Sequence, residues 1–394
     1  MLVGTAMKAP CASGNWGDLR QYHDLCYSDI VPLLGTEQLE RSGPHGARLP
    51  FFQTCAPVQG QECDEYPVLT MYFMRVAAWI SGPRYAAFYY ANAALLFVCA
   101  GAIGLCLYVM AGGRRALYFA LAPTLLIYGT MNWDLLAVTF STLATLYLLR
   151  RRDAASGAML GLGAAAKLYP GMLVVPFVAQ RLRERRPDEA ITLGWSTLAA
   201  YVLVNLPFAA LGFSSWVRFF TFNAQRVADF DSLWYIGCRH VHELCRSVRT
   251  VNMLSLLLFV ASSALVWFLR ARRFPDFPRW TLGFPLIALF LVTNKVYSPQ
   301  YGLWLLPWFV LAMPGLRRFI AFELTDIAVF VTRFWWFSKL AGSWGPPQWV
   351  FELMVLARTA VLLWCVVAWI RTPYQPLAIE VGARAPADPE VRPA

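Results

Sequence analysis

The sequence predicts an all-α polytopic membrane protein. Three observations carry that reading. Of 394 residues, 58% are hydrophobic and only 14% are charged, whereas soluble domains run at about 25% charged. The apolar residues come in long runs, as bilayer-crossing segments require. The basic residues fall in short clusters between those runs, as loop charges do. That distribution, rather than nucleic acid, accounts for the formal net charge of +11.

The basic clusters set the orientation. They are Arg114-Arg115, Arg150 to Arg152, "RLRERR" from Arg181, "RARR" from Arg270, Arg317-Arg318 and Arg371. The positive-inside rule places all of them in the cytoplasm, so the chain must leave and return between them. Residues 86–111 make one long span. Segments 116–130 and 135–149 form a pair with "MNWD" at its outer tip, and segments 154–166 and 170–182 repeat the pattern with "KLYP". These arms are about 13–15 residues long, short of the ~20 needed to cross a bilayer. They read as re-entrant-like helix pairs around a cavity, since irregular backbone at depth is tolerated only inside protein or beside water. A span at 191–212, an external loop at 213–250 and a span at 251–269 follow. A third pair, 280–293 and 302–313, carries "NKVYSPQY" at its tip. Spans at 319–337 and 351–370 complete about eleven hydrophobic segments. Trp335, Trp336, Trp344 and Trp349 around the last outer turn read as an interfacial belt.

This topology leaves residues 1–65 outside, followed by a transmembrane core at 66–371. A Pro/Ala-rich cytoplasmic tail at 372–394 reads as disordered. "MLVGTAMKAP" is too short and too broken to serve as the apolar part of a cleavable signal. The expectation is that a further transmembrane helix precedes Met1.

Six cysteines fall in the stretches placed outside: Cys11, Cys26, Cys55, Cys63, Cys238 and Cys245. An oxidising compartment permits disulfides there. The spaced pairs predict Cys11 with Cys26, Cys55 with Cys63, and Cys238 with Cys245, with free thiols as the alternative.

Polar groups in tight outer tips of an apolar chain are functional candidates. The outer side collects Asp29, Asp64 and Glu65 in "CDEYP", Asn132 and Asp134 in "NWD", and Lys167 in "KLYP". It also collects Arg226, Asp229 and Asp231 in "RVADFDSLWYI", and Lys295, Tyr297, Gln300 and Tyr301 in "NKVYSPQY". The inner side shows only charge clusters. A carboxylate can take a proton from an acceptor hydroxyl, and Lys or Arg can hold a leaving phosphate. Together they suit transfer of a group from a lipid phosphate to an alcohol. Each candidate also has a structural reading. "SD" before an apolar run is a helix-capping signal, Glu65-Tyr66-Pro67 fits a helix start, and Asp134 favours a helix N-terminus. Arg226, Asp229 and Asp231 also read as a loop scaffold. The scattered histidines give no zinc signature; no metal or cofactor is assigned, and a divalent ion stays open.

At these residues the chain resembles the polytopic glycosyltransferases of the C superfold. In particular it resembles actinobacterial members of glycosyltransferase family 87, with their polyprenol-phosphate-mannose-dependent mannosyltransferases. The resemblance rests on "CYSDI" followed by "EYPVLT", then "NWDLLAV", "KLYPGMLVVP", "FNAQRVADFDSLWYI" and "NKVYSPQYGLWLLPW", in that order along nearly the whole chain. It implies an inverting transfer from a polyprenyl-phosphate sugar in the plasma membrane, with Asp29 as catalytic base in the first external loop. It implies that Lys295 and Arg226 grip the donor phosphate; Lys167 before "YP" reads as a further phosphate contact, or as a cap of the helix it follows. Tyr27, Asp64, Glu65, Asn132, Asp134, Asp231, Tyr297, Gln300 and Tyr301 then bind substrate. The partners are the lipid-linked donor, a lipid or glycan acceptor and membrane lipids. The departure from the family's pattern is the insertion at 41–63, "RSGPHGARLPFFQTCAPVQGQEC", which bears on the acceptor. Two other classes compete: a lipid or solute transporter, and a catalytically inactive cell-envelope scaffold.

Overall fold

The computed structural model describes residues 1–40, 48–53, 55, 63–241, 245 and 247–382. Among them all regular structure is helical. The main helices are α1 (Leu2–Lys8), α2 (Ile30–Thr36), α3 (Val68–Ser81), α4 (Tyr85–Ala111), α5 (Asp134–Leu149), α6 (Asp153–Ala166) and α7 (Val174–Arg183). They continue with α8 (Pro187–Leu211), α9 (Arg218–Gln225), α10 (Val248–Arg273), α11 (Gly283–Thr293), α12 (Leu316–Leu340) and α13 (Gln348–Arg371). Four of them, α4, α8, α10 and α13, are long and apolar enough to cross a membrane. Only 11% of the apolar stretch of α8 and 17% of that of α10 is buried against protein. Faces so apolar and so bare suit hydrocarbon rather than water.

Several boundaries differ from the sequence expectation. The segment expected at 116–130 is two helices, Gly113–Ala120 and Pro123–Tyr128. Pro123 has no N–H to donate and is pre-set for a first helical turn, so it starts the second piece. The arm expected at 170–182 likewise divides into Tyr169–Met172 and α7. Helix α3 was not among the expected segments; its 14 residues include Arg75, which shortens the apolar signal. The loop expected at 213–250 contains Phe213–Trp216, α9 and Leu233–His240. Of the tryptophans expected as a belt, Trp344 and Trp349 are exposed, but Trp336 is buried and stacks on Phe351. Within the stretch read as a disordered tail, Leu377 is fully buried and Ala378–Gly382 is helical. Residues 383–394 of that stretch lie outside the described residues.

The body is held by close helix contacts and by buried ion pairs. Gly157 and Gly161 of α6 lie against the backbone carbonyls of Leu193 and Thr197 in α8, with no room for a Cβ. Two glycines four apart let the helices approach at backbone distance, the packing favoured where lipid offers no hydrophobic drive.

The two ends of the body differ. At one end the loops bearing basic clusters are tied together. Arg181 donates to Asp153 at 2.6 Å, Arg183 pairs with Asp276 at 2.6 Å, and the Arg279 N–H donates to Gln180 at 2.6 Å. Arg270 caps α13 by donating to the carbonyls of Trp369 and Thr372. Helix α5 begins at Asp134 at the other end and runs to the basic end; α6 returns and finishes before Lys167. Their tips, with those near residues 29, 226 and 295, meet at the far end.

Beneath the far end lies a fully buried pair, Asp326 of α12 and Arg358 of α13, at 3.2 Å. Arg358 also donates to the Asp231 carbonyl at 2.9 Å and covers the Tyr297 ring at 3.6 Å. A buried charge stripped of its partner costs about 3–5 kcal/mol, whereas replacing both partners by apolar groups is close to neutral. Asp326→Leu should therefore lower the thermal unfolding temperature in detergent, and Asp326→Leu with Arg358→Met should restore most of it. Equal losses in the single and double variants would refute this account of the pair.

Candidate active site

The far end encloses a cavity of about 930 Å³, at the upper end of the range for ligand sites. Asp29 stands in its wall. The chain places it there by pinning residues 26–29 against the tip at 130–132. Cys26 is joined to Cys11. Ser28 donates to the Thr130 carbonyl at 2.9 Å, and the Asp29 N–H donates to Met131 at 2.9 Å. Lys8 of α1 donates to the Tyr27 carbonyl at 2.6 Å from the buried side. The Asp29 carboxylate accepts from the Tyr27 hydroxyl at 2.8 Å, Asn132 at 2.7 Å and Gln300 at 3.4 Å. A carboxylate has about four acceptor positions, so three donors fix its orientation and leave capacity for one more.

Among the described residues, four cations line the same cavity: Lys167, Arg226, Lys295 and Arg333. Lys167 is neutralised by Asp134 at 2.7 Å and lies 4.7 Å from the Tyr301 ring centroid. Arg333 pairs with Asp231 at 2.6 Å and with Asp229 at 3.6 Å; Arg226 pairs with Asp229 at 3.2 Å. Burial works against ionising Asp229, yet Arg333 and Arg226 together hold it below the ordinary carboxylate range. Burial pushes Asp231 up to about 6. Lys295 differs from the other three. Among the described residues its ammonium meets only backbone carbonyls, of Ala224 at 3.2 Å and Arg226 at 2.5 Å. These belong to the C-terminal end of α9, where the helix dipole favours a cation by a fraction of a charge. Burial first, and then the Arg226 charge, bring Lys295 down to about 8.

The structure brings most expected site residues to the cavity and holds four behind it. Tyr27, Asp29, Glu65, Asn132, Lys167, Arg226, Lys295, Gln300 and Tyr301 line it. Asp134 does not; it is fully buried and receives both Lys167 and the Trp304 indole N–H at 2.6 Å. Asp231 is buried behind Arg333. Tyr297 is buried against Arg358. Asp64 is buried in a fork of Arg48, at 2.9 and 3.0 Å, beside Glu37, whose carboxyl burial pushes up to about 8. These four side chains position others and have no open face toward the cavity. The cysteine pairs Cys11–Cys26, Cys55–Cys63 and Cys238–Cys245 are all disulfides. Among the described residues, no three His, Cys, Asp or Glu side chains group as metal ligands.

Sequence reasoning missed Arg333, Tyr22, Tyr66 and Phe334, all in the cavity wall. Tyr66 accepts the second amide hydrogen of Asn132 at 2.9 Å. The signal for Arg333 was present: an arginine in the middle of an apolar run, "VTRFWW", is a functional candidate by the same rule applied to the loop tips.

The cavity joins an oriented carboxylate, a cation without a carboxylate partner and aromatic faces, which suits group transfer between a phosphate-bearing molecule and an alcohol. A sequence model of glycosyltransferase family 87 matches residues 65–299. No curated protein matches the chain. The matched stretch holds Lys167, Arg226 and Lys295, and Asp29 precedes it. It spans more than half of the chain, and the helical body with four membrane-long helices agrees with it: the protein is a membrane glycosyltransferase of family 87.

Proposed function

We propose that this glycosyltransferase moves a sugar from a polyprenyl-phosphate donor to a hydroxyl of a lipid or glycan acceptor, at the extracytoplasmic face of the plasma membrane. Mannose is the sugar that the family resemblance suggests. The body is then a C-superfold bundle, with residues 1–65 as its outer catalytic region and the C-terminus in the cytoplasm.

The observation that carries the reading is the presence of Asp29 and Lys295 in one cavity. Asp29 takes the proton of the acceptor hydroxyl as that oxygen attacks the anomeric carbon. The bond from the anomeric carbon to the phosphate oxygen breaks, its electron pair leaves with the prenyl phosphate, and the anomeric configuration inverts. Asp134, Asp229 and Asp231 face three of the four cavity cations. Among the described residues Lys295 has no carboxylate partner and is the cation left to meet a phosphate. Lys295 and Arg226 meet the growing charge on the departing phosphate, as charge-assisted donors do. Phe219, Phe222 and Phe290, which line the same cavity, offer apolar surface to the prenyl chain.

Two outcomes test this reading. Membranes carrying the wild-type protein should transfer label from prenyl-phosphate [¹⁴C]mannose to an added glycoside, and Asp29→Asn should reduce the rate by about 10²–10⁴-fold, the usual contribution of a general base. Undiminished transfer by Asp29→Asn would remove it as the base. The second outcome concerns pH. Lys295 is a cation below about 8 and loses its proton above it. The donor KM should therefore rise as pH is raised through about 8, and Lys295→Arg, which stays charged, should flatten that rise. A donor KM with the same pH dependence in both proteins would separate Lys295 from the phosphate.

A further inference from the structure

Lys8 is a buried cation that the transfer described above does not use. It ends α1, is 2% exposed and has no face on the cavity. Two ties hold it in place. Gly4 brings α1 against the Leu126 carbonyl, with no room for a Cβ. Three residues after Lys8, the Cys11–Cys26 disulfide fastens the chain to the segment that carries Tyr27 and Asp29.

Among the described residues, the Lys8 ammonium makes one hydrogen bond, to the Tyr27 carbonyl at 2.6 Å, and lies 5.6 Å from the centre of the Phe330 ring. A cation buried without a carboxylate in contact is costly, and a neutral donor would serve a carbonyl as well. The hydrogen bond thus accounts for a donor at this position but not for a charge.

The charge acts on Asp29. Tyr27, which takes the ammonium on its carbonyl, gives its hydroxyl to Asp29 at 2.8 Å. Burial brings Lys8 down to about 7, and the Asp29 charge works against that fall. The attraction is shared, so what favours the ammonium favours the carboxylate equally.

The other ionisable groups around the two are matched. On the cavity side of Asp29, Lys167 is neutralised by Asp134, and Arg333 by Asp231 and Asp229. Tyr22, Tyr66 and Glu65 stand in the same wall. On the side of Lys8, Tyr89 of α4 reaches the Thr5 carbonyl at 3.5 Å, and Tyr128 donates to the Asp326 carbonyl at 3.1 Å. From α12, Asp326 pairs with Arg358, and Glu323 accepts from Thr124. Among the described residues, Lys8 is the cation on the buried side of Asp29 that no other carboxylate neutralises.

We propose that Lys8 is a positioning residue for the base: its buried ammonium supplies the counter-charge that keeps Asp29 unprotonated, and its hydrogen bond fixes the Tyr27 that orients it. This rests on the glycosyl transfer proposed above and adds a residue that does not touch substrate.

The test is the acid side of the pH profile. kcat/KM for an added glycoside is measured on the detergent-solubilised full chain, with prenyl-phosphate [¹⁴C]mannose at saturation, from about pH 4 to 8. Activity should fall on the acid side as the base takes up a proton. Lys8 is a cation below about 7, so its charge is present there. Removing that charge favours the protonated carboxylate, and Lys8→Met should move the fall to higher pH by about one unit. Lys8→Gln, which keeps an N–H for Tyr27 but has no charge, should move it as far. Lys8→Arg should leave it near its wild-type position. Thermal unfolding in detergent checks that each variant is folded. A rate lowered equally at every pH, with the fall unmoved in the folded Met and Gln variants, would overturn the inference: Lys8 would be a structural tie, and the glycosyl transfer would stand. Absence of transfer by the wild type at every pH would overturn the proposed transfer, and this inference with it.

Discussion

Asn132 donates one amide hydrogen to Asp29 and the other to Tyr66. Much of the site depends on that fork. Asp29 lies just before α2, Asn132 at the tip of a later helix pair and Tyr66 at the start of α3, so a single side chain sets the spacing of three loops. Asn132 is itself held, since its carbonyl accepts the Trp133 backbone N–H at 2.6 Å. The Trp133 indole then donates to Asn92 of α4 at 2.7 Å. A long apolar helix thus bears, through three polar contacts, on the orientation of a carboxylate in the cavity. In an apolar body each of these donors would be costly to leave unmade, and this is why the network reaches as far as it does.

The same constraint sorts the ionic groups. Arginines and lysines near the cavity are matched to carboxylates set one layer deeper, and those carboxylates have no view of the cavity. Asp229 serves two guanidiniums at once. Pairing of this kind contributes little net stability in itself, because desolvation offsets attraction. It fixes where each cation points. Lys295 is fixed by other means, by the carbonyls at the end of α9, and keeps more of its charge available. Position and available charge are thus supplied by different elements of the chain.

The sequence was most informative where one rule acted alone. Uninterrupted apolar runs made α4, α8, α10 and α13 legible, and loop tips rich in polar residues marked Asp29, Lys167 and Lys295. It was least informative where two requirements met in one segment. Helix α12 must be apolar overall and also carry Glu323, Asp326 and Arg333, so averaging along the run hid the charges that face inward. Asp134, Asp231 and Asp64 looked the same in sequence as Asp29, because a carboxylate in an outer tip reads alike whether it faces a cavity or a buried cation. The difference lies in contacts from residues 33, 102 and 16 positions away, namely Lys167, Arg333 and Arg48. The cysteine pairs were legible from their spacing. Helix α3 was overlooked because Arg75 breaks its short run.

The contact of Gly157 and Gly161 with the backbone of α8 has a mechanical side. Helices that meet without intervening side chains have no rotamers through which to yield, so α6 and α8 form one stiff unit. Lys167 follows directly on α6 and is anchored to that unit. Across the cavity, Arg226 and Lys295 are borne by α9 and the tip at 294–301, which have no such backbone contact with the glycine pair. When a substrate enters the cavity and a product leaves it, the displacement falls to the side that bears Lys295, and the side that bears Lys167 acts as the fixed jaw of the clamp.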